Sequence, residues 1–273
     1  MNMLNQIIQN HNLHFSEDLS DEDYAELQVK GYNSIDGGQS DLYNCPICRN
    51  KQMIAFVSPE FHDFTLRKCE CVRKRKALVN IRKSGLTEEL RRKTFDTYIT
   101  AEKWQENFRN TALEFLESKN HWFYAGGMSG SGKTHICTAI CNKFLNQGRT
   151  VKYVLWRELF QKLSANKFSD EYENIIRDIT DYDVVYIDDF LKSSKAADEL
   201  NAAFEVINAL YIRRKPLILS SELFLADLNK LDCASAGRIA ELSGKFIVQI
   251  PKTPDRNFRL RRAAAGISLT DNF

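Results

Sequence analysis

Short apolar runs alternate with amphipathic stretches along the chain from residue 101 onward. The runs lie at 122–125, 151–155, 184–187, 217–219 and 246–250. Continuous apolar runs of this length are typical of strands in a parallel sheet, because helices cover both faces of such a sheet. The alternation therefore predicts an α/β domain in which helices flank a parallel sheet.

Apolar side chains between these runs recur at three- and four-residue spacings, which is the period of a helix. One such stretch carries Ile136, Ile140 and Phe144 and stops at Gly148. The predicted helices are 101–118, the one that Thr134 opens, 157–163, 172–179 and a long one with Leu200, Phe204, Ile207 and Leu210 on one face. Each of them would lay an apolar face on the sheet.

The first hundred residues follow a different pattern. Residues 1–40 combine a cluster of acidic positions with scattered apolar ones, which predicts short helices with an acidic face. Residues 41–75 hold two cysteine pairs around the strand-like segments 53–57 and 64–66. We therefore predict two domains and a connection between them, namely 1–85, the linker 86–100, and 101–273.

Composition is that of a globular protein. Of the 273 residues, 43% are hydrophobic and 27% are charged. No apolar run approaches the roughly 20 residues that a membrane span requires, so we expect no membrane association. Residues 1–12 have neither a cationic region nor a small-residue cleavage site, and we therefore expect a cytoplasmic protein.

Two close cysteine pairs indicate a metal site. Cys45 and Cys48 form a C-x-x-C pair, and Cys69 and Cys71 form a C-x-C pair. Because two such pairs supply the four thiolates of a tetrahedral site, we predict a zinc ribbon with all four cysteines as Zn²⁺ ligands. Two alternatives stay open: His62 replaces one cysteine, or the thiols are unligated or redox-active.

A stretch rich in lysine and arginine follows the second cysteine pair. Between residues 67 and 93, basic residues far outnumber the acidic ones, which are Glu70, Glu88 and Glu89. Such a stretch could bind a phosphate backbone, form a hydrated linker helix or face an acidic protein. The sequence leaves these three alternatives open.

The segment GMSGSGKT at 127–134 matches the pattern G-x-x-x-x-G-K-[ST] and lies between a predicted strand and a predicted helix. Its backbone N–H groups would surround the phosphates of ATP or ADP, its lysine would reach their terminal oxygens, and its threonine would bind Mg²⁺. The nucleotide ligands predicted here are Gly127, Ser129, Gly130, Ser131, Gly132, Lys133, Thr134 and His135.

A strand that ends in two carboxylates supplies the second part of this site. In VVYIDD at 184–189, Asp188 and Asp189 follow the apolar residues directly. In phosphoryl transfer, one such acid holds Mg²⁺ and another group orients or deprotonates the attacking water. We assign the first role to Asp188, together with Thr134, and the second role to Asp189.

Together these motifs resemble the AAA+ ATPases of the DnaC/DnaI type, the bacterial and phage replicative-helicase loaders. The matching features are the two cysteine pairs, GMSGSGKT, VVYIDD, the strand LILSSE and the stretch SAGRIAELSG at 235–244. The two ATPase motifs fit many proteins, whereas a metal ribbon joined to SAGRIAELSG is narrower and looks like loaders of phage or Gram-positive origin. The resemblance covers nearly the whole chain.

The resemblance implies further site residues. Arg238 matches the arginine finger, which a neighbouring subunit supplies to the nucleotide and which typically contributes about 10³ to 10⁵ in rate. Arg259 matches the second sensor arginine, with Arg256 or Arg261 as neighbouring alternatives.

The first sensor departs from the family pattern. Thr or Ser followed by Asn is common there, whereas this chain has Ser220, Ser221 and Glu222. A carboxylate near the terminal phosphate would repel it unless Mg²⁺ or an arginine intervenes. Hydrolysis would then be slow, or the polar contact to the nucleotide would shift to Ser221, and Glu222 is left as a candidate sensor only.

Most AAA+ proteins append a helical lid, but after Pro251 only the tail 252–273 remains, so we expect none. This favours the loaders, or the related transposition helper ATPases, over protein-remodelling machines. The resemblance implies an ATP-dependent loader that self-associates through its ATPase domain. Its amino-terminal zinc domain would bind the hexameric replicative DNA helicase, which the loader places on single-stranded DNA.

Two other functions stay open. One is a transposase helper ATPase that assembles on duplex DNA and has a transposase as its partner. The other is a nucleic-acid-binding adaptor whose nucleotide site binds without significant hydrolysis. Turnover at background level would distinguish the adaptor from both ATPases.

Overall fold

The computed structural model describes residues 20–40, 43–192 and 196–264. The chain divides into two compact units, Met1–Val79 and Asn80–Phe273. We call the first the cysteine unit and the second the sheet unit. Predictions made for the two ends of the chain lie partly outside the described residues.

The described residues of the cysteine unit form a helix and a hairpin, and a second helix begins at the last cysteine. These elements are α1 (Asp21–Ser34), the antiparallel strands β1 (Met53–Val57) and β2 (Phe64–Lys68), and the start of α2 (Cys71–Lys83). A capping box begins α1, because the Ser20 hydroxyl accepts a hydrogen bond from Asp23 N–H and the Asp23 carboxylate accepts one from Ser20 N–H. Asn33 ties α1 to the hairpin through hydrogen bonds of 2.9 and 3.0 Å with the backbone of Ala55.

Within the described residues, the sheet unit forms a five-stranded parallel sheet in the order β4-β5-β6-β3-β7. The strands are β3 (Phe123–Gly127), β4 (Val151–Leu155), β5 (Val184–Asp188), β6 (Leu217–Ser220) and β7 (Ile247–Ile250). The helices are α3 (Glu88–Arg91), α4 (Lys103–Leu116), α5 (Lys133–Asn146), α6 (Trp156–Ala165), α7 (Glu171–Thr180), α8 (Ala197–Ile212), α9 (Leu225–Leu231), α10 (Cys233–Ser243) and α11 (Phe258–Ala264). The predicted α/β fold is confirmed.

Alternate strand side chains enter two separate hydrophobic clusters, one on each face of the sheet. On one face, Phe123 packs against Phe108 and Phe115 of α4, and α5 lies beside them. On the other face, Tyr124 and its neighbours pack against α6, α8 and α10. Both faces are covered, which explains why the strands are continuously apolar.

The parallel strands place all their carboxyl ends at one edge of the sheet. Because β6 lies between β5 and β3, the segments that follow these three strands are neighbours. Ligands of open α/β sheets bind at this edge. The sheet therefore brings together the phosphate-binding segment, the two acids and the end of β6.

The segment predicted as a linker, 86–100, is part of the sheet unit. Leu86, Phe95 and Tyr98 are buried in the same cluster as Phe108. A linker makes few such contacts, so the structure differs here from the prediction. The short helix α3 lies within this segment, and its Leu90 packs against the same cluster.

The chain continues after β7 with a short 3₁₀ turn, Pro254–Arg256, and α11. In the described part of the chain, no helical lid follows the sheet. No helix of the residues described is both long enough and apolar enough to span a membrane.

Candidate functional site

The phosphate-binding loop joins β3 to α5. Gly127 ends the strand with a φ of 108°, and a Cβ added there would lie 2.0 Å from the carbonyl oxygen of Ile250. Gly132 has a φ of 87° directly before α5, and a Cβ there would lie 2.9 Å from the Tyr98 ring. Both positions require glycine, because a side chain would meet both steric conflict and an unfavourable backbone conformation. The loop can therefore present N–H groups to a phosphate at the start of a helix.

The Lys133 side chain is buried inside this loop. Its Nζ donates hydrogen bonds of 2.9 and 2.6 Å to the carbonyl oxygens of Gly127 and Met128. Burial lowers the pKa of Lys133, and the charges of Glu222 and Asp189 act in the opposite direction. The pKa of this ammonium group therefore depends on burial and on two carboxylates, of which Asp189 follows β5 and Glu222 follows β6.

Asp188 ends β5 and is the centre of a hydrogen-bond network. Thr134 Oγ1 and Tyr186 OH donate to its Oδ1 at 3.2 and 2.7 Å. Ser220 Oγ makes a further, short hydrogen bond to the same oxygen, and Tyr153 OH donates to Oδ2 at 3.3 Å. The network fixes the carboxylate beside the threonine hydroxyl. Together they form a pair of oxygen atoms that suits a small, hard cation.

Tyr153, Tyr186 and Ser220 were not assigned to the site from the sequence. Tyr186 lies two positions before Asp188, so strand alternation places both side chains on one face, and this signal was available. Tyr153 lies opposite Tyr186 in the register of β4 and β5, with ring centroids 5.3 Å apart. Ser220 ends β6, the other neighbour of β5. Both contacts depend on the order of the strands, which the sequence does not show.

Asp189 faces a lysine that also contacts Glu222. Asp189 has a φ of 53°, and its N–H donates to Ser220 Oγ at 3.1 Å. Lys192 Nζ lies 3.0 Å from the Asp189 carboxylate and 3.2 Å from that of Glu222. Burial raises the pKa of Glu222, but hydrogen bonds from Lys192 and Ser129 outweigh it, so the pKa lies below its ordinary value. The cation beside Glu222 is therefore a lysine, whereas the sequence analysis named Mg²⁺ or an arginine as the groups that would offset the charge of Glu222.

Ser221 does not have the contacts of a nucleotide ligand. Its side chain is fully buried, and its hydroxyl donates to the carbonyl oxygen of Phe190 at 2.7 Å. The same hydroxyl accepts a hydrogen bond from Leu223 N–H at 3.1 Å. The hydroxyl is thus used to hold the loop after β6. This differs from the expected contact to the nucleotide, and the serine that joins the acid network is Ser220.

His135 connects α5 to the segment before α4. Its Nε2 lies 2.8 Å from the carbonyl oxygen of Thr94 and 3.2 Å from Thr97 Oγ1. Its ring meets the Tyr98 ring edge-on, with centroids 5.3 Å apart. Burial lowers the pKa of His135. These contacts give this predicted nucleotide ligand a structural task, which is to anchor one wall of the loop.

The four cysteines of the cysteine unit form one cluster. Their Sγ atoms all lie within 4.8 Å of one another, and all four residues are buried. Cys45 Sγ lies 3.8 Å from Cys69 Sγ, and Cys48 Sγ lies 3.4 Å from Cys71 Sγ. Four thiolates about 2.3 Å from a tetrahedral Zn²⁺ would be about 3.8 Å apart, so the cluster fits such an ion.

The thiols of this cluster differ in their ionisation. Burial raises the pKa of Cys69 and Cys71. At Cys45 the effect of burial is outweighed by hydrogen bonds from the backbone of Cys48 and Ile47, which lower the pKa to about 7. One thiolate is therefore accessible near neutral pH.

His62 is not one of the clustered residues. Its Nδ1 lies 3.1 Å from Glu22 Oε1, and the imidazole is 61% exposed. The hairpin turn that carries His62 places it at the surface. The alternative in which His62 replaces a cysteine therefore finds no support in the described residues.

A comparison with family models identifies the chain. The model described as IstB-like ATP binding protein matches residues 53–232, which is more than half of the sequence. The chain belongs to the family of IstB-like ATP binding proteins. ATP binding is therefore a property of the family to which this chain belongs.

Relatives of this IstB-like protein include two from Bacillus subtilis (strain 168). The uncharacterized protein YqaM is 30% identical over 206 residues, which are 70% of this chain and 65% of that relative. The phage-like element PBSX protein XkdC is 28% identical over 223 residues, which are 76% of this chain and 82% of that one. The chain thus spans less than two thirds of the length of YqaM.

The fold of this IstB-like protein is shared with the crystal structure of DnaI. The two superpose with a TM-score of 0.51 and 17% sequence identity, over 62% of this chain and 95% of that chain. Identity at this level shows a common fold and nothing finer.

Arg238 of this IstB-like protein lies on α10 and stacks on two rings of α8. Its guanidinium lies 5.0 Å from the ring centroid of Phe204 and 5.4 Å from that of Tyr211. Its Nη1 donates to the carbonyl oxygen of Ala234 at 3.1 Å. None of the contacts described for Arg238 involves the loop 127–134.

The three arginines considered for the second sensor differ in their contacts. Arg256 lies 2.6 Å from the Glu102 carboxylate, and Arg261 makes a shorter hydrogen bond to the same group. Arg259 is exposed. The N–H of the residue before Arg259 donates to the carbonyl oxygen of Gly130 at 3.0 Å. The start of α11 is therefore hydrogen-bonded to the phosphate loop, and the side chain of Arg259 is exposed to solvent.

Proposed function

We propose that the sheet unit hydrolyses ATP to ADP and phosphate. The observation that carries this proposal is the 3.2 Å contact between Thr134 Oγ1 and Asp188 at the mouth of a complete phosphate loop. Lys133 contacts the terminal phosphate oxygens, and Asp189 orients or deprotonates the attacking water. Thr134 and Asp188 hold Mg²⁺, which when bound neutralises charge on the phosphate oxygens.

The cysteine unit binds Zn²⁺ through Cys45, Cys48, Cys69 and Cys71. The spacing of the four sulfur atoms supports this ligand set. The role of such an ion is structural, because four thiolates leave no open coordination position for a reactant.

The whole protein acts in the cytoplasm as an ATP-dependent loader of the replicative DNA helicase. The cysteine unit binds the hexameric helicase, and the sheet unit helps to place that helicase on single-stranded DNA. Support comes from the presence of a four-cysteine unit and a phosphate-binding unit in one chain, and from the resemblance of its motifs to loaders of the DnaC/DnaI type.

Self-association through the sheet unit completes the ATPase site. Arg238 acts on the nucleotide of a neighbouring subunit. Support for this role comes from the resemblance of SAGRIAELSG at 235–244 to the loaders. Within its own chain the guanidinium stacks on Phe204 and Tyr211. A guanidinium suits this role because its fork of donors spreads over the oxygens where charge accumulates.

Light scattering coupled to size-exclusion chromatography tests the partnership. We expect the full chain, mixed with the host's replicative helicase and ATP, to elute as one complex. The variant Cys48→Ser/Cys71→Ser should lose this complex, and Cys233→Ser, which removes an exposed cysteine, should keep it. A helicase that elutes alone in the presence of the wild-type chain contradicts the loader proposal.

A mixing experiment tests the role of Arg238. We expect Arg238→Ala and Lys133→Ala to be inactive alone and to regain turnover when mixed, because one site in the mixture then has both groups. Arg214→Ala is the matched control, since Arg214 also stacks on Tyr211, at 5.0 Å. If Arg238→Ala keeps full stimulated turnover while Lys133→Ala has none, the proposal that Arg238 acts on the nucleotide of a neighbouring subunit is wrong.

The transposase helper ATPase is the second candidate, and the family match favours it, because the family is named for IstB. It predicts ATP-dependent assembly on duplex DNA and no complex with the helicase. Parallel binding assays with duplex and single-stranded DNA separate the two functions. Turnover that stays at background with helicase and single-stranded DNA present would leave a nucleotide-binding adaptor.

A further inference from the structure

Two carboxylates follow residues that are hydrogen-bonded to the phosphate loop. Asp189 follows Asp188, which accepts a hydrogen bond from Thr134 at 3.2 Å. Glu222 follows Ser221, whose carbonyl oxygen accepts a hydrogen bond of 3.1 Å from the N–H of Gly127, the first residue of the loop. The charges of Asp189 and Glu222 also oppose the effect of burial on the pKa of Lys133. Because the loop lysine reaches the β- and γ-phosphates of a bound nucleotide, these carboxylates flank the terminal-phosphate end of the site.

Lys192 is the cation that joins these two carboxylates. Its Nζ lies 3.0 Å from Asp189 and 3.2 Å from Glu222, so a single ammonium group bridges both. Asp189 follows β5 and Glu222 follows β6, which are neighbouring strands. The bridge therefore spans the edge of the sheet where the phosphates bind.

The bridge is a poor candidate for a stabilising element of the fold. The side chains of Lys192, Asp189 and Glu222 are 41%, 34% and 35% exposed. Ion pairs with this exposure contribute about 0 to 1 kcal/mol to stability. We expect the bridge instead to change the affinity for a highly charged ligand that binds beside these three side chains.

We propose that Lys192 is a positioning residue that lets the site accept a triphosphate, by neutralising Asp189 and Glu222 where the terminal phosphate lies. Without Lys192, two uncompensated carboxylates face that phosphate. A diphosphate ends one phosphate earlier and meets less of this repulsion. The pair of Lys192 and Glu222 thus sets the preference for ATP over ADP, an inference that rests on the proposed ATPase function of this site.

Equilibrium binding of fluorescent, slowly hydrolysed ATP and ADP analogues with Mg²⁺ tests the proposal. We expect Lys192→Met to weaken triphosphate binding on the order of tenfold, and diphosphate binding by less than about twofold. Lys192→Arg keeps the charge and should keep the wild-type preference. Lys167→Met is the matched control, because Lys167 forms a comparable exposed pair with Asp198 at 2.8 Å.

A double-mutant cycle identifies the group that Lys192 neutralises. We expect Lys192→Met/Glu222→Gln to regain most of the triphosphate affinity, because one of the two repelling charges is gone. Equal losses for both nucleotides, or a double variant no better than Lys192→Met, would overturn the role of Lys192 while leaving ATP binding intact. A wild-type chain that binds neither analogue would overturn both this inference and the proposed ATPase.

Discussion

The two units of this protein bury side chains of very different size. In the sheet unit, large aromatic and branched side chains fill both faces of the sheet, and many of them are fully buried. In the described residues of the cysteine unit, the buried apolar side chains are Ala25, Ala55 and the four cysteines. Large apolar residues of the same unit, such as Ile47 and Phe61, are 65% and 71% exposed.

This difference shows that the two units need different sources of stability. The described residues of the cysteine unit bury two alanines and four cysteines, which gain little from the hydrophobic effect, so we expect this unit to depend on another constraint, such as a metal. We expect the sheet unit, with its large buried apolar side chains, to fold without one. The following predictions test this contrast, from the largest expected effect to the smallest.

Removal of zinc should unfold the cysteine unit and spare the sheet unit. Structural zinc sites contribute on the order of 10 kcal/mol in small domains. We expect a strong chelator, or Cys48→Ser, to abolish amide-exchange protection before residue 79 while protection of β3 and β5 persists. Cys233→Ser should retain both the metal and the protection. Protection of the cysteine unit that survives complete metal loss would contradict this view.

Truncation of a core aromatic side chain should destabilise the sheet unit and spare the cysteine unit. Phe115 meets the rings of Phe123, Phe144 and Phe246, with centroids 5.3, 6.1 and 5.5 Å away. We expect Phe115→Ala to lower the free energy of unfolding by about 3 to 5 kcal/mol, because it leaves a cavity. Tryptophan fluorescence during urea unfolding measures this free energy for the sheet unit, because Trp104, Trp122 and Trp156 all lie in that unit.

Two comparisons make that measurement specific. Phe168→Ala removes a side chain that is 96% exposed and should leave the urea midpoint unchanged. The zinc content of Phe115→Ala should equal that of the wild type. A loss of zinc in Phe115→Ala would mean that the units do not have separate sources of stability.

ATP should stabilise the sheet unit alone. A ligand at about 100 times its Kd adds about 2.7 kcal/mol to the free energy of unfolding of the state that binds it. We expect this gain in the wild type, no gain in Lys133→Ala, and the full gain in Lys143→Ala, which changes an exposed lysine of the same helix. If ATP also slows amide exchange in the cysteine unit, the conclusion that the two units are stabilised separately is wrong.

Asp183 should give the smallest effect. Its carboxylate accepts hydrogen bonds from Thr150 N–H and Oγ1, both at 2.8 Å. We expect Asp183→Asn to cost about 1 kcal/mol at pH 7. Asp178→Asn, which removes a surface ion pair with Lys152, should cost less.

The cost of Asp183→Asn should depend on pH. Burial raises the pKa of Asp183, but the hydrogen bonds from Thr150 outweigh it, so the pKa lies below the ordinary value of 3.8. Because the folded state binds this proton less readily, the contribution is present above pH 3.8 and is lost as the pH falls through the lowered pKa. The urea midpoints of the two proteins should draw together as the pH falls below 3.8 and should meet only below the lowered pKa, and a constant difference throughout that range would contradict the assignment.

Much of the fold followed from local patterns. The predicted strand 151–155 and the predicted helix 157–163 correspond to β4 and α6, because apolar runs and helical spacings are properties of neighbouring residues. The segment 86–100 is predicted as a linker because it is short and lies between Gly85 and the first predicted helix of the second domain. The partners of its buried residues lie in α4 and α5, and only the folded chain brings them together.

The sequence by itself determined the chemistry that is encoded in short, contiguous motifs: a glycine-rich phosphate loop, two acids after a strand and two cysteine pairs. The tertiary structure alone decided which distant residues act on those motifs. Ser220 reaches Asp188, and Lys192 bridges Asp189 to Glu222, because β6 lies beside β5 in the sheet although a helix separates them in the chain. Such contacts depend on strand order, and strand order is fixed by the packing of the whole sheet.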